Sequence, residues 1–177
     1  MDWEFFETLS PDDAENLLQQ FLAEESSAVT SLIDAALDDG IDAKFSLASA
    51  RILLPWAAQF ASAVETAPPP DLPEWLREVH EQHYGFYELD APTKICVLRC
   101  GYFLGQFFVA EFPSLRWTTG DTETALGNMP VVAGFSHDLE LPPLLVMENL
   151  FGRIVRDPEK LGDIDTAISK WQESVPN

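Results

Sequence analysis

Basic residues are scarce in this sequence. The first 43 residues contain twelve acidic residues and no lysine or arginine, and the first basic residue is Lys44. Over all 177 residues, 30 acidic residues face 10 basic ones, so the formal net charge is −20. A surface of this sign repels nucleic acid and anionic membranes. We therefore expect no direct nucleic-acid binding and no membrane binding, and we expect a protein partner to be basic.

Cysteine is also scarce, and long apolar runs are missing. Cys96 and Cys100 are the only cysteines, and they lie in an apolar stretch. This excludes a disulfide framework and favours two reduced, buried side chains. No segment reaches the roughly 20 uncharged apolar residues that a membrane-spanning helix needs, and the first residues lack the basic and apolar regions of a signal peptide. A cytoplasmic location is the simplest expectation.

Histidine is rare too, which limits the chemistry that the chain can perform. His80 and His83 have a spacing that can place two imidazoles on one metal ion, but a site needs a third or fourth ligand. His137 stands between a serine and an aspartate, where it cannot reach both neighbours as a catalytic triad requires. The chain has no glycine-rich phosphate loop and no basic patch with interleaved aromatic residues. We therefore predict no catalytic residues, no metal site and no cofactor.

Apolar residues, by contrast, are abundant. They make up 46% of the chain, with five tryptophans and twelve phenylalanines, which is enough for a packed core and excludes wholesale disorder. A length of 177 residues suits one domain. We therefore predict a single domain over residues 1–177, of which residues 1–43 form an acidic helical N-terminal region.

The first helical pattern runs from Ser10 to Gly40. A hydroxyl N-cap precedes Pro11 at the first helical position, and a glycine is a natural helix end. Glu25, however, falls in the middle of the apolar stripe. Because burying an unpaired carboxylate is costly, the pattern predicts a break near residues 26–27, which would divide the segment into two helices.

The middle of the chain predicts two further helices around a proline-rich segment. A helical pattern covers residues 46–65, with Pro55 as a kink or a new start. Residues 66–73 contain three consecutive prolines and are predicted to form a stiff internal linker. A capping-box-like start then predicts a helix over residues 71–85.

The pattern over residues 91–112 is apolar on nearly every side, which is typical of a helix in the centre of a domain. Gly101 and Gly105, one turn apart, would let a neighbouring element approach closely. After this helix the period changes from helical to alternating. Residues 115–118 and 129–135 read as two strands joined by a turn-rich loop, and the spacing allows an antiparallel pair.

Two shorter helical patterns, at residues 142–154 and 163–171, follow the strands. The fold class is therefore predicted as α+β: a mainly helical single domain with a small antiparallel two-strand element late in the chain.

The acidic region at residues 1–43 is the strongest candidate for a functional surface. Charge would steer a basic partner to this region, and aromatic rings near its N-terminal end would supply affinity. The predicted partner-binding residues are two rings and four carboxylates: Trp3, Phe6, Asp12, Asp13, Asp34 and Asp38. The alternatives are that the rings fold back on the core and that the acids form a solvated helix face.

Short motifs between residues 45 and 155 resemble small bacterial domains of unknown function. These motifs are Phe45–Ser49 before a helix, Gly101–Gln106 within a buried helix, a strand with Trp117, and Met129–Val132 in a second strand. Gln106 stands where those domains more often have glutamate. Some of these domains look like immunity proteins encoded beside toxins. The resemblance implies a compact α+β domain with a binding role, and it carries over no catalytic residue.

The leading hypothesis is a stoichiometric protein-binding module, of the immunity or antitoxin type, that neutralises a basic toxin or effector. One alternative is a small enzyme that combines scattered acids with His80, His83 or His137. Another is an inhibitor that mimics nucleic acid, with carboxylates in the place of phosphates.

Overall fold

The computed structural model describes residues 4–83 and 85–176, and at residues 81–83 it describes the backbone alone. Within these residues the chain forms seven α-helices and two antiparallel two-stranded sheets, so the predicted mainly helical α+β fold is confirmed. In chain order the elements are α1 (Glu4–Glu7), α2 (Pro11–Asp38), α3 (Leu47–Ala58), β1 (Ala63–Glu65), α4 (Glu74–His83), β2 (Tyr87–Leu89), α5 (Ala91–Glu111), β3 (Arg116–Thr119), β4 (Pro130–Ala133), α6 (Pro143–Arg156) and α7 (Asp163–Glu173).

Helix α2 is one continuous helix of 28 residues, so the predicted break near residues 26–27 is wrong. Its start is as predicted, because the Ser10 hydroxyl accepts a hydrogen bond from the Asp13 amide at 3.2 Å. Its end is a Schellman motif, with Gly40 at a φ of 83°. Glu25 is only half-buried, and this burial raises the pKa of its carboxyl group. Breaking the helix would expose several backbone groups, which costs more than partly desolvating one carboxylate.

Helix α5 is the central element and packs against α2, α3 and α6. Val97, Leu104 and Phe108 are at most 2% exposed, as the apolar pattern predicts, although Ile95 in the first turns is exposed. The two glycines do permit close approach. A Cβ atom at Gly101 would lie 2.5 Å from a methyl carbon of Leu144 in α6, and one at Gly105 would lie 2.1 Å from the Trp117 ring of β3.

Helix α3 ends at Ala58 rather than at residue 65, so the second predicted helix is seven residues too long. The last three predicted helical residues form β1 instead, which pairs with β2 in the register Ala63 with Leu89 and Glu65 with Tyr87. This sheet was not predicted. The proline-rich segment at residues 66–73 lies between β1 and α4. It is therefore the first part of the connection between the two strands of this sheet.

The second sheet, β3–β4, lies where the alternating pattern predicts it, with Trp117 opposite Val132. Both faces of β4 are buried. Val132 belongs to the main core, whereas Val131 packs with Phe6 and Met129 in a smaller cluster under α1. The main core draws on α2, α3, α5, α6 and α7 as well. No helix in the described part of the chain is both long and apolar enough to cross a bilayer.

Candidate functional site

The four predicted carboxylates lie at the two ends of α2. Asp12 and Asp13 are in its first turn, and Asp34 and Asp38 are in its last two turns. All four side chains are exposed. A helix of 28 residues is about 42 Å long at 1.5 Å per residue. The carboxylates therefore mark an acidic face that extends along one side of the molecule rather than one compact cluster.

Within the described residues, this acidic face forms no ion pair. None of the described ion pairs involves an acidic residue among positions 4–43. The described pairs lie elsewhere and are Arg51 with Asp165, Lys94 with Glu88, and Arg153 with Asp163. The negative potential of α2 is therefore directed to solvent and to whatever approaches from it.

The two predicted aromatic anchors have different outcomes. Trp3 lies outside the described residues. Phe6 is only 7% exposed, since its ring packs with Met129 and Val131. A partner could reach Phe6 only by opening the fold, so its assignment as an anchor is wrong, and the ring folds back on the core. The exposed ring of α1 is Phe5, which meets Phe6 edge to face with 5.7 Å between ring centroids.

A buried asparagine holds α1 in place. The Asn128 side-chain amide donates hydrogen bonds to the carbonyl oxygens of Phe6 and Leu9, both at 3.1 Å. The residue has a φ of 63°, a left-handed conformation that asparagine tolerates better than most residues. The loop between β3 and β4 therefore fixes the first helix, and with it the start of the acidic face.

An aromatic cluster that the sequence analysis missed lies beside the C-terminal end of α2. The Trp56 indole nitrogen donates a hydrogen bond to Asp39 Oδ2 at 3.0 Å, and the Trp56 ring meets Phe60 edge to face at 5.4 Å. Phe60 is 65% exposed. We call Asp39, Trp56 and Phe60 the aromatic–acidic patch. The spacing of Trp56 and Phe60, four residues apart, was available as a signal, but the helical pattern alone does not show which of its rings are exposed.

The histidines do not form a site in the described part of the chain. The His80 ring stacks on Phe86 with 5.4 Å between centroids, and the His83 side chain lies outside what the structure describes. His137 is exposed in a 3-10 turn, at a φ of 61°. Among the described residues, no group of three histidine, cysteine or acidic side chains has the proximity that a metal ion needs.

The two cysteines are free thiols. Cys100 is fully buried, and its hydrogen bond with Cys96, together with burial, raises its pKa well above the ordinary value. Cys96 is only half-buried, so the expectation that both are buried holds for one of them. A hydrogen bond from Cys100 lowers the pKa of Cys96. Cys96 Sγ also lies 3.9 Å from the Ala57 carbonyl oxygen, which places it against α3.

Comparison with protein-family models, curated proteins and solved structures finds no match to this chain.

Proposed function

We propose that this chain is a stoichiometric protein-binding module that docks a basic partner on the acidic face of α2, in the manner of an immunity or antitoxin protein. The observation that supports the proposal is the set of exposed carboxylates of α2, none of which forms an ion pair among the described residues. The described salt bridges use basic residues on α3, α5 and α6 and leave this face uncompensated. A basic surface would supply the missing counter-charges and be attracted over about 8 Å at physiological salt.

The aromatic–acidic patch is the proposed anchor of the interface. Charge alone gives fast encounter but modest affinity, whereas buried aromatic residues supply most of the binding energy in typical interfaces. Phe60 is accessible, and the hydrogen bond to Asp39 holds the Trp56 ring in place. A lysine or arginine of the partner can contact these ring faces and the adjacent carboxylate together. The aromatic–acidic patch replaces Phe6 as the proposed aromatic anchor.

The test is a kinetic binding measurement with the product of the adjacent gene, because immunity proteins of the type resembled are encoded beside their toxins. Replacing Asp12, Asp13, Asp34 and Asp38 together by asparagine should lower the association rate by about tenfold at low salt, and by less at high salt. Phe60→Ala should instead raise the dissociation rate by about tenfold or more.

The matched control replaces four exposed acids outside the acidic face by glutamine and so changes the net charge equally. The control residues are Glu65, Glu78, Glu159 and Glu173. If this control slows association as much as the α2 variant, net charge and not the α2 face is responsible. Association that is indifferent to salt and to the four aspartates contradicts electrostatic docking. A duplex DNA that competes for the same partner would favour the nucleic-acid mimic instead.

A further inference from the structure

A cleft of about 580 Å³ lies between the β1–β2 sheet and the C-terminal half of α6. Small-molecule sites in proteins have volumes of roughly 300–1,000 Å³. One wall is apolar and aromatic, since it includes Tyr87 and Leu89 of β2, and Val155 of α6 contributes a further apolar side chain. The cleft is on different elements from the acidic face and the aromatic–acidic patch.

The charge of the cleft differs in sign from that of the molecule. Three of the ten basic residues line it, namely Lys94, Arg153 and Arg156, against two acidic residues, Glu88 and Glu148. The lining therefore carries a formal charge of +1 (three minus two) in a chain of −20. An anion that the rest of the surface repels meets more cations than acids in this lining.

One of the three cations is available to a ligand. Lys94 is paired with Glu88, and Arg153 forms an ion pair at 2.7 Å with Asp163, which is not part of the cleft lining. Arg156 forms no ion pair with any residue in the described ranges. A guanidinium group has five N–H donors in a planar arrangement that matches a carboxylate in a two-point contact.

A glycine keeps the floor of the cleft open. Gly152 lies on α6 among the lining residues, and a Cβ atom built there would meet nothing within 4 Å. A side chain at this position can extend into the cleft without a clash at its base. Gly162 has the same open surroundings but does not line the cleft, so it offers a matched control.

The geometry points to this cleft as a binding site for a small monocarboxylate that carries a ring or a compact apolar group. Arg156 holds the carboxylate, and Tyr87 and Leu89 contact the ring. A polyanion is disfavoured because Glu88 and Glu148 lie in the same lining. This inference needs no protein partner, so it stands or falls independently of the proposed function.

The experiment titrates the full chain with 2-naphthoate and follows backbone amide shifts and heat. We expect saturable binding with shifts at β2 and at the C-terminal half of α6. The neutral analogue 2-naphthamide and the polyanion citrate should each bind at least about tenfold more weakly, since the amide carries no charge for Arg156 and citrate brings extra negative charge next to Glu88 and Glu148. Arg156→Gln should weaken 2-naphthoate binding by about tenfold, because it removes the two-point charged contact.

Gly152→Phe should fill the cleft and abolish binding, whereas Gly162→Phe should leave binding unchanged. Thermal unfolding of each variant verifies that it folds, and Arg156→Gln serves as the decisive variant if Gly152→Phe does not fold. The proposal is overturned if 2-naphthoate shows no saturable binding at millimolar concentration. Equal binding of the amide, or full binding by Arg156→Gln, also overturns it.

Discussion

The two sheets of this protein are similar in size but differ in their burial and in the elements that they contact. The β3–β4 sheet has four paired positions, is covered on both faces of β4, and holds α1 through Asn128. The β1–β2 sheet has three paired positions, and Val64 and Tyr87 are about half exposed. The β3–β4 sheet is therefore part of the core, whereas the β1–β2 sheet forms the wall of a cleft.

This difference shows what makes a short sheet stable. A two-stranded ribbon is marginal in water unless other elements cover it. In β3–β4 the neighbouring helices supply that cover, and close backbone approaches depend on glycine. In β1–β2 the exposed side chains contribute little to stability. Stability therefore does not restrict which residues occupy these positions, and residues that contact a ligand are tolerated there.

The largest effect should come from a glycine after β4. Gly134 has a φ of 105°, and a Cβ atom there would lie 2.3 Å from the Ser114 carbonyl oxygen. Gly134→Ala should therefore lower the free energy of unfolding by about 3 kcal/mol or more, through backbone strain and the clash together. Chemical denaturation measures this, with Gly152→Ala as the control. The control should lose no stability, because alanine is favoured over glycine at an open helical position. A Gly134→Ala variant as stable as the original protein would show that the backbone here relaxes readily.

The next effect should come from Asn128. Asn128→Ala removes hydrogen bonds from two backbone carbonyl groups, one buried and one partly buried, and places alanine in a left-handed conformation, for a loss of about 2 kcal/mol. Asn128→Gly keeps the conformation accessible and removes the amide alone, so it separates the two causes. Hydrogen exchange at residues 6–9 should accelerate in both variants. Unchanged exchange would mean that α1 does not depend on this amide.

A pair of identical substitutions compares the sheets directly. Val131 in β4 is fully buried, whereas Val64 in β1 is 52% exposed. Val131→Ala should cost about 2 kcal/mol, because it leaves a cavity between β4 and Phe6. Val64→Ala should cost about 0.5 kcal/mol or less. Urea unfolding of both variants gives the difference, and equal losses would remove the distinction drawn between core sheet and cleft wall.

The smallest effect concerns Glu25 on α2, the helix that packs against β3. Burial raises the pKa of this carboxyl group above 4.5 in the folded state. Ionisation therefore destabilises the fold as pH rises through and beyond that range. Glu25→Gln should stabilise the protein at pH 7 by about 0.5 kcal/mol or less, since the half-buried carboxylate still contacts solvent. The gain should vanish below pH 4. A gain that persists in acid would exclude ionisation as its cause.

Much of this fold could be predicted, in the places where the periodicity of the apolar residues and the positions of the glycines indicate the same element. The apolar α5 with Gly101 and Gly105, the alternating strand with Trp117 and the capped start of α2 were all foreseeable from local pattern. The unbroken α2 was not, because the penalty at Glu25 depends on how much solvent reaches the carboxylate in the folded chain. The β1 strand was missed because three mostly exposed residues leave no periodic signal.

The candidate site could be predicted only in part. The acidic charge of residues 1–43 is a property of composition, so its location on α2 follows directly. Which rings are exposed depends on tertiary packing. Phe5 and Phe6 are adjacent and chemically identical, yet only contact with Met129 and Val131 decides that Phe6 is buried. Likewise the cleft depends on bringing Tyr87 near Arg156, which no local pattern indicates.

The link between Asn128 and α1 has a consequence for the order of folding. Its two hydrogen bonds join residues 122 and 119 positions apart in sequence. During synthesis, which adds roughly 5–20 residues per second, α1 must wait until most of the chain has left the ribosome. Contacts of such long sequence separation form late, because the loop between their ends must first be closed. Helix α1 therefore makes these contacts only after the β3–β4 loop has formed, and it lacks them until then.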